Sequence, residues 1–373
     1  MKNLIFISLD TVRADVAYSG QFKGLNSLRK EGVTFINSIS SSPLTPISHA
    51  SILSGLQPYN HGIRHLFKEK LNSNVKTITQ ILKEKGYQTG AIVSCPGMNK
   101  WYDFCRGFDH YDDEIPLLED GTDPLLTVDV KKRGTALKRA PIVVEKAWQW
   151  LNKNKEKPFF LFMHFFDSHW PYEAPEIFSG NNIYEHEVGY SDYYLSNFIK
   201  KLKDNNLWDN TTIVCFSDHG EDLEGLYPND KGGSKLGHPE ELGHGCLLYD
   251  QTQKTVLIIK DKDIPKNINI DSQVRLVDIL PTVLDLFKIE DEKIKFDGVS
   301  LSPLINGKYL DLPAYCETFY PEEQKKATNG KFSTSNKKAI RINNKHKTII
   351  NLDNDKCEIY NLEDDENELT NLL

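Results

Sequence analysis

The sequence predicts an α/β fold in which a mostly parallel central sheet lies between layers of helices. Apolar runs at residues 4–9, 158–166 and 212–217 have the length and composition of buried parallel strands. Segments with helical periodicity, at residues 142–152 and 187–204, alternate with these runs along the chain. A chain of 373 residues is long enough to bury a large core in such a three-layer sandwich.

The first predicted strand, residues 4–9, is an apolar run that ends at Asp10. Parallel strands of open α/β sheets bind ligands at their carboxyl ends, so this strand would deliver a carboxylate to such an edge. A turn or helix cap is the alternative for a lone Asp in this position.

The stretch from residue 40 to residue 64 reads SSSPLTPISHASILSGLQPYNHGIR. A Ser- and Pro-rich loop leads into a short helix, for which Ser48 is the predicted cap and Gly55 the residue just past the end. The hydroxyl of Thr45 would then lie just ahead of a helix N-terminus, where free N–H groups and the helix dipole favour an anion. Thr45 is therefore a candidate nucleophile, and a cap without chemistry is the alternative.

The next segment continues the alternation of helices and strands. Residues 75–85 have helical periodicity that Gly86 ends, and residues 88–93 have the composition of the following strand. The polar residues 116–133 and the Gly-, Lys- and Asp-rich residues 222–241 are predicted to form surface loops near the rim of the site.

Two predicted strands end in residues of the kind that bind ligands. The aromatic strand at residues 158–166 is followed by Asp167 and His169, and the strand at residues 212–217 is followed by Asp218 and His219. An adjacent Asp and His supply one hard oxygen and one imidazole to a divalent cation. A capping box with Glu221 is the structural alternative for the second pair.

The composition of the chain changes from about residue 311, where it becomes rich in Lys and Asn. Short alternating runs at residues 339–342, 347–352 and 358–362 predict antiparallel strands. We therefore predict a catalytic domain over residues 1–310 and a small C-terminal antiparallel subdomain over residues 311–373.

The overall composition excludes several classes of protein. A net charge of −8 with 26% charged residues does not predict nucleic-acid binding. The six cysteines lack CxxC spacing, which favours free thiols in a reducing compartment. No apolar run approaches the roughly 18 residues of a membrane span, and the N-terminal apolar run is too short for a signal peptide. We therefore expect a cytoplasmic protein without a membrane span.

Several motifs together resemble the sulfatases and their relatives in the alkaline phosphatase superfamily. The segment ASILSG at residues 50–55, followed by Pro58 and His61, is similar to the signature that follows the nucleophile in this family. The resemblance continues in DTVRAD at residues 10–15, DSHWPY at 167–172, SDHGE at 217–221, GHG at 243–245 and the C-terminal tail. It implies an alkaline-phosphatase-like three-layer sandwich and places Thr45 at the nucleophile position.

The resemblance also implies the roles of individual side chains. The metal ligands that it implies are Asp10, Thr45, Asp218 and His219. Catalytic roles fall on Thr45, His169 and His244, and substrate-binding roles on His49, His61 and Asp167. The expected cofactor is one divalent cation, with Mn, Zn, Mg and Ca as candidates. A second ion held by Asp167, His169 and His244 is the alternative.

The residue at the nucleophile position bears on the choice between phosphate and sulfate. Sulfatases of this family oxidise a Cys or Ser to formylglycine within a C/S-x-P-x-R motif. In that register this chain has Thr45 at the oxidised position and His49 at the Arg position, and its proline is displaced to Pro46. A Ser-x-Pro occurs at residues 41–43, four residues too early, with Thr45 where the Arg belongs. Threonine cannot form the same aldehyde hydrate. An alkoxide nucleophile suits phosphorus, where water can hydrolyse the covalent intermediate.

The sequence therefore predicts a metal-dependent hydrolase of phosphate mono- or diesters that acts through a covalent phospho-threonine. One alternative is a sulfatase, or a phosphoryl transferase acting on a glycan or lipid head group. The alternative from another class is a non-catalytic protein that binds an anionic glycan. The expected partner is a small-molecule, glycan or lipid-head-group phosphoester, and a homo-oligomer is compatible with the sequence.

Overall fold

The computed structural model describes residues 1–117, 121, 138–170, 172–174, 178, 180–223, 238–239, 243–290, 294–327 and 334–373. The chain divides into two compact units, each assembled from separate segments. The first unit comprises Met1–Thr34, Lys76–Ser217 and Leu257–Asn269, and the second comprises Phe35–Val75, Asp218–Val256 and Ile270–Leu373. The domain boundary between residues 310 and 311 stays a prediction. The surface loops predicted at residues 116–133 and 222–241 fall largely outside the described residues.

The secondary structure of the described residues alternates short strands with helices. The strands are β1 (Asn3–Leu9), β2 (Val33–Phe35), β3 (Ser38–Ile39), β4 (Gln88–Ile92), β5 (His110–Asp112), β6 (Phe159–Phe165), β7 (Thr211–Phe216), β8 (Lys254–Thr255), β9 (Leu257–Lys260), β10 (Ile268–Ile270), β11 (Val274–Arg275), β12 (Ala314–Thr318), β13 (Lys337–Ile342), β14 (His346–Asn351) and β15 (Cys357–Asn361). The α-helices are α1 (Ala14–Ala17), α2 (Lys23–Glu31), α3 (Thr45–Ser54), α4 (Pro58–His61), α5 (Ile78–Glu84), α6 (Ala140–Asn154), α7 (Ile183–Asp204), α8 (Asp250–Gln253), α9 (Ile279–Leu286), α10 (Ser302–Ile305) and α11 (Tyr320–Ala327).

The first unit is built on an eight-stranded sheet with the order β10-β2-β9-β7-β1-β6-β4-β5. The central strands β7, β1, β6, β4 and β5 run parallel, and β9 pairs antiparallel with β7 and β2. This arrangement confirms the predicted mostly parallel sheet. The carboxyl ends of the parallel strands consequently share one edge of the sheet.

The core of the first unit is formed by the central strands. Every residue of β1 and β6 is buried, as expected for parallel strands covered on both faces. The ring of Phe6 contacts the rings of Phe160 and Phe216 edge-on, with centroids 5.2 and 5.8 Å apart. Helix α7 packs against α2 and α6, and α2 and α6 pack against strands of this sheet. The apolar runs seen in the sequence therefore become the centre of the molecule's larger sheet.

The second unit contains two smaller sheets. One has the order β11-β3-β8, and the other is an antiparallel sheet with the order β12-β13-β14-β15. The second sheet confirms the predicted C-terminal antiparallel strands and adds β12, which sequence patterning does not reveal. Its core includes Tyr249, Cys316, Ile349 and Tyr360.

Helices α3 and α7 each begin four residues earlier than the sequence predicts. Helix α3 begins at Thr45 with Pro46 in its first turn, so Thr45 lies inside the helix and Ser48 does not cap it. Proline is favoured in a first helical turn because its missing N–H would have no intrahelical partner there. Gly55 ends the helix with a φ of 68°, as predicted. Helix α7 begins at Ile183, where the side chain of Asn182 accepts a hydrogen bond from the Glu185 N–H.

Among the helices of the described residues, none is both long and apolar enough to cross a membrane. All six cysteines are free thiols, and four of them are buried.

Candidate active site

The carboxylate predicted at the end of the first strand lies in a fully buried position. Asp10 directly follows β1, and its N–H donates to the Phe165 carbonyl oxygen on the neighbouring strand at 2.9 Å. The Ser168 hydroxyl donates to the Asp10 carbonyl oxygen at 2.5 Å. Asp10 has no exposed surface. The backbone N–H and carbonyl group of Asp10 are therefore held by the end of β6 and by the segment that follows it.

The residue after Asp10 has a strained backbone. Thr11 has a φ of 58°, a left-handed conformation that is rare for a β-branched residue. Its hydroxyl donates to the Ser168 carbonyl oxygen at 2.8 Å, and its own carbonyl oxygen accepts from the Tyr184 hydroxyl at 2.8 Å. These bonds hold the chain in the turn that leaves Asp10 at the edge of the sheet.

A histidine that sequence reasoning overlooked contacts Asp10. His164 lies within β6, and its Nε2 is 3.1 Å from Asp10 Oδ2. Its Nδ1 is 2.9 Å from the Ser94 hydroxyl oxygen. The sequence feature that could have identified His164 is that it is the one ionisable residue in the aromatic run PFFLFMHFF. Buried ionisable residues need partners, so a histidine in such a strand predicts a polar group facing it.

Asp167, predicted as a substrate-binding residue, is bound by groups of its own unit. Its Oδ1 is 2.9 Å from Arg139 Nε and accepts from the Ala140 N–H at 3.1 Å. Arg139 also pairs with Glu187 at 2.7 Å, so two buried carboxylates share one guanidinium. Burial raises the pKa of Asp167, and burial with the charge of Asp167 raises the pKa of Glu187 to about 7. These contacts favour a structural role for Asp167 at the start of α6.

His169 lies in the turn after β6 and is partly exposed. Its ring stacks on Phe166 with centroids 4.2 Å apart, and its Nδ1 donates to the Trp170 carbonyl oxygen at 2.6 Å. In neutral imidazole the other ring nitrogen, Nε2, then carries the lone pair. The motif residue Pro171 lies outside the described residues.

In the second unit, the candidate nucleophile lies beside the Asp-His pair. Thr45 is the first residue of α3, and only 7% of it is exposed. Its Oγ1 is 3.4 Å from His219 Nε2. The first turn of a helix presents free N–H groups and the positive end of the dipole, which favour an anionic group. Thr45 lies at the start of this helix as its first residue, whereas the sequence predicted its hydroxyl just ahead of the helix.

The tautomer of His219 follows from its hydrogen bonds. Nδ1 donates to the Gly220 carbonyl oxygen at 2.8 Å, so Nε2 of the neutral ring carries the lone pair. That lone pair lies 3.4 Å from Asp218 Oδ2 and 3.4 Å from Thr45 Oγ1. Three ligand-type atoms, one carboxylate oxygen, one imidazole nitrogen and one hydroxyl oxygen, thus converge at fully or nearly buried positions. This donor set fits a divalent cation.

Serine hydroxyls attach the Asp-His loop to α3. The Ser48 hydroxyl donates to the Asp218 carbonyl oxygen at 2.7 Å and contacts the Ser40 hydroxyl at 3.1 Å. Ser48 is therefore part of the packing behind the site, where the sequence predicted a helix cap. The arrangement fixes Asp218 relative to the first turn that carries Thr45.

Two backbone hydrogen bonds of the residues after His219 accompany the close approach of His244 to His219. The Gly220 N–H donates to the Thr252 carbonyl oxygen, and the Asp222 N–H donates to the Gly243 carbonyl oxygen at 2.6 Å. A side chain on Gly220 would meet the Gln251 carbonyl oxygen at 2.0 Å, so only glycine fits. The ring centroids of His219 and His244 are consequently 4.3 Å apart.

Glu221 orients His244. Its Oε1 lies 3.0 Å from His244 Nδ1, which donates the hydrogen bond, and the Glu221 side chain is fully buried. Burial, and after it the neighbouring His219, lower the pKa of His244 well below its ordinary value. The neutral ring then presents Nε2 as an acceptor. The sequence analysis considered Glu221 only as a possible capping residue. Its position two residues after His219 was the sequence feature that could have indicated a role in the site.

The two remaining predicted substrate-binding histidines are fully buried. His49 Nδ1 donates to the Thr45 carbonyl oxygen at 2.7 Å and lies 3.6 Å from Asp218 Oδ2. His61 contacts the Ser51 hydroxyl through Nε2 at 3.1 Å and accepts the Ile63 N–H through Nδ1 at 3.2 Å. Burial lowers the pKa of His61 to about 3. The structure therefore places His49 beside Thr45 and Asp218. The ring nitrogens of His61 instead contact Ser51 and Ile63.

Comparison with known proteins extends the family resemblance. Arylsulfatase K of Rattus norvegicus is 22% identical over 342 residues, which cover 75% of this chain and 57% of that protein. The chain thus spans less than two thirds of this curated relative's length.

Two solved structures share the fold over the whole chain. One is BT4656 in complex with its substrate D-glucosamine-2-N,6-O-disulfate, with 18% identity, a TM-score of 0.75 and coverage of 100% of this chain and 93% of that one. The other is the phosphonate monoester hydrolase of Agrobacterium radiobacter, with 17% identity, a TM-score of 0.75 and coverage of 100% and 91%.

A family model supplies the assignment, because it matches most of the chain, from the first strand through α9. The model described as Sulfatase matches residues 2–289, so this chain belongs to the Sulfatase family.

Proposed function

We propose that this protein hydrolyses phosphate esters through a covalent intermediate on Thr45. The observation that carries the proposal is the side chain at the nucleophile position. It is a threonine, which cannot form the formylglycine aldehyde, at the first residue of α3, with its hydroxyl oxygen 3.4 Å from His219 Nε2. Membership of the Sulfatase family supports a hydrolase of sulfate or phosphate esters. The solved phosphonate monoester hydrolase shows that this fold also occurs with chemistry at phosphorus.

We propose that one divalent cation binds to Asp218, His219 and Thr45, with Asp10 as the fourth ligand. Asp10 directly follows β1, and Asp218 follows β7 after a single serine, and these two strands pair in parallel. When bound, such a cation lowers the pKa of a hydroxyl and polarises an ester oxygen. The buried, mixed carboxylate and imidazole donor set is compatible with Mn²⁺, Zn²⁺, Mg²⁺ or Ca²⁺.

The chain's own residues would carry the reaction in two steps. In the first, Thr45 loses its hydroxyl proton to solvent, and the bond from Oγ1 to phosphorus forms as the bond to the leaving oxygen breaks. The free N–H groups at the start of α3 favour the anionic phosphoryl group. In the second, water attacks phosphorus and releases Thr45. His244, held by Glu221 with Nε2 as an acceptor, suits the removal of a proton from that water. His169 is the candidate donor to the leaving oxygen in its protonated form, because the Nδ1 proton is already donated to the Trp170 carbonyl oxygen.

A sulfatase is the second candidate function. It is favoured by the name of the curated arylsulfatase relative and by the disulfated glucosamine bound in one solved neighbour. The proposed substrates therefore include a glycan or lipid head group that carries a phosphate ester, with a sulfate ester as the competing class.

A paired assay separates the two candidates. Purified protein is given aryl phosphate mono- and diesters, aryl phosphonates and aryl sulfates that share one leaving group, each with Mn²⁺, Zn²⁺, Mg²⁺ and Ca²⁺. We expect phosphoester turnover to exceed sulfate-ester turnover. Sulfate turnover that exceeds phosphate turnover in protein whose intact mass shows unmodified Thr45 would refute the proposal. Metal-bound protein that hydrolyses none of these substrates but binds anionic glycans would favour the non-catalytic alternative.

A further inference from the structure

Three neighbouring strands of the first unit each bring a ligand-type side chain to one edge of the sheet. The strands β1, β6 and β4 are adjacent and parallel. Asp10 directly follows β1, His164 lies near the end of β6, and Cys95 lies just beyond β4. The convergence of these three residues is thus a consequence of the sheet order, and no local sequence motif reveals it.

The donor atoms of these residues are close enough to share an ion. A carboxylate oxygen of Asp10, the Sγ of Cys95 and a ring nitrogen of His164 all lie within 4.8 Å of one another. Asp10 and His164 are fully buried, and Cys95 is 3% exposed. Zinc–ligand bonds of roughly 2.0–2.3 Å place tetrahedral ligand atoms roughly 3–4 Å apart, so a small contraction would complete the geometry.

The hydrogen bonds of Ser94 favour a cation between Asp10 and His164. The Ser94 hydroxyl lies 2.6 Å from the His164 carbonyl oxygen, which can only accept, so the hydroxyl proton is used there. His164 Nδ1, at 2.9 Å from the same hydroxyl oxygen, must then be the donor. In the neutral ring the lone pair of Nε2 faces Asp10 Oδ2 at 3.1 Å. Two lone pairs at this distance repel each other unless a proton or a metal ion lies between them.

We propose that Asp10, Cys95 and His164 form a second cation site, distinct from the one at Asp218, His219 and Thr45. A thiolate, an imidazole and a carboxylate form a borderline-soft donor set that suits Zn²⁺ or Co²⁺ better than Mg²⁺ or Ca²⁺. Binding would release the Cys95 thiol proton, because the thiolate is the ligand. This site also differs from a second ion at Asp167, His169 and His244, whose Asp167 is engaged by Arg139.

The second site would act through Asp10. A carboxylate has two oxygens, so one oxygen of Asp10 stays available when the other contacts the ion of the new site. The link to the proposed function is limited to this shared carboxylate. The donor set of the new site otherwise contains none of the residues assigned to attack on the ester.

The test uses Co²⁺ as the probe and reads a signal that only a thiolate ligand gives. Metal-free protein is titrated with Co²⁺, and the thiolate-to-cobalt charge-transfer absorption in the near ultraviolet is recorded. We expect the wild type to bind two Co²⁺ ions per chain and to show this absorption. Cys95→Ser should abolish the absorption and bind one ion, whereas Cys105→Ser, which replaces a partly exposed thiol, should behave as the wild type.

Two further variants make the result specific. Ser94→Ala removes the group that orients His164, and loss of such an outer partner should weaken Co²⁺ binding at this site by about 10–100-fold. Asp218→Asn should remove the other ion and leave the thiolate absorption in place. Thiolate absorption that persists in Asp218→Asn would support the new site. A lack of hydrolytic activity in the wild type would refute the proposed function without affecting that result.

The wild-type spectrum decides the proposal even if Cys95→Ser fails to fold. Wild-type protein that binds Co²⁺ without thiolate absorption would overturn it, and His164 would then be an imidazolium hydrogen-bonded to Asp10. Thiolate absorption that survives in folded Cys95→Ser would also overturn it, because another cysteine would be the ligand.

Discussion

At the scale of single residues, the roles of the site histidines depend on which ring nitrogen carries a proton. His219 donates through Nδ1 to the Gly220 carbonyl oxygen, and His244 donates through Nδ1 to Glu221. Both rings therefore present Nε2 as an acceptor. Such a nitrogen can bind a cation or take a proton, and these are the two functions that hydrolysis at phosphorus requires here.

We predict that replacing His169 or His244 by Ala lowers kcat by about 10²–10³, the scale for one lost electrostatic or proton-transfer group. The metal content should not change, because neither residue belongs to either proposed cation site. Steady-state kinetics and metal analysis of the purified variants provide the measurement. His346→Ala, which replaces an exposed histidine on β14, is the matched control. Loss of one equivalent of metal in either variant would instead support a second ion at Asp167, His169 and His244.

At the scale of secondary-structure elements, the buried group formed by Arg139, Asp167 and Glu187 joins α6, the end of β6 and α7. One guanidinium faces two carboxylates, which leaves an uncompensated negative charge in a buried place. Burial, and after it the negative charge of Asp167, raise the pKa of Glu187 to about 7.

This group predicts a dependence of stability on pH. The pKa of Glu187 is higher in the folded state than the ordinary value of 4.5, so the folded state binds more protons between these limits. Its stabilising contribution is complete below pH 4.5 and is lost as the pH rises through about 7, on the order of 3 kcal/mol for a shift of this size. Glu187→Gln should flatten the dependence of the unfolding free energy on pH in that window. Denaturant unfolding of both proteins at several pH values measures it, and parallel curves would contradict the prediction.

The elements that sequence patterning predicts are those whose signal is local. The strands β1, β6 and β7 were predicted within one residue at each end, because parallel strands buried on both faces are continuous apolar runs. Strand β12 was not predicted, because it is short and owes its place to pairing with β13. The start of α3 was misplaced because Pro46 resembles a loop residue, although proline is tolerated in a first turn.

The residues of the site also fall into two groups, those that a local motif predicts and those that only the fold brings together. Thr45, Asp218 and His219 were accessible from motifs, and the structure brings them together. The contact of His164 with Asp10, and that of Glu221 with His244, join positions far apart in the chain. No local pattern specifies such pairs, because strand order and loop path determine them. The engagement of Asp167 by Arg139 is another example.

At the scale of the whole molecule, the proposed reaction depends on ligands that belong to separate segments of the chain. Asp10 and Asp218 are more than 200 residues apart in sequence and follow strands that pair in the sheet. Metal binding to such residues is coupled to the folded state, because the unfolded chain does not hold them together.

We predict that chelation abolishes phosphoester hydrolysis and that Mn²⁺, Zn²⁺ or Mg²⁺ restores it. Metal should also raise the thermal unfolding midpoint, since a ligand that binds only the folded state stabilises it. Asp218→Ala should lose both effects of the ion. Activity assays and thermal unfolding with and without added metal provide the measurement. Full activity of the chelated, metal-free protein would exclude the proposed chemistry.

The central claim is that Thr45 carries the phosphoryl group during turnover, and the most direct test is to look for it there. Protein is mixed with an aryl phosphate diester or monoester, quenched in acid during steady-state turnover, digested and mapped by mass spectrometry. We expect Thr45 to carry one phosphoryl group from the monoester, or one phosphoryl group that retains the second ester from the diester. Thr45→Ala should show no such adduct and should also lose turnover. Rapid turnover in Thr45→Ala, or a phosphoryl group found only on another residue of the wild type, would contradict the account.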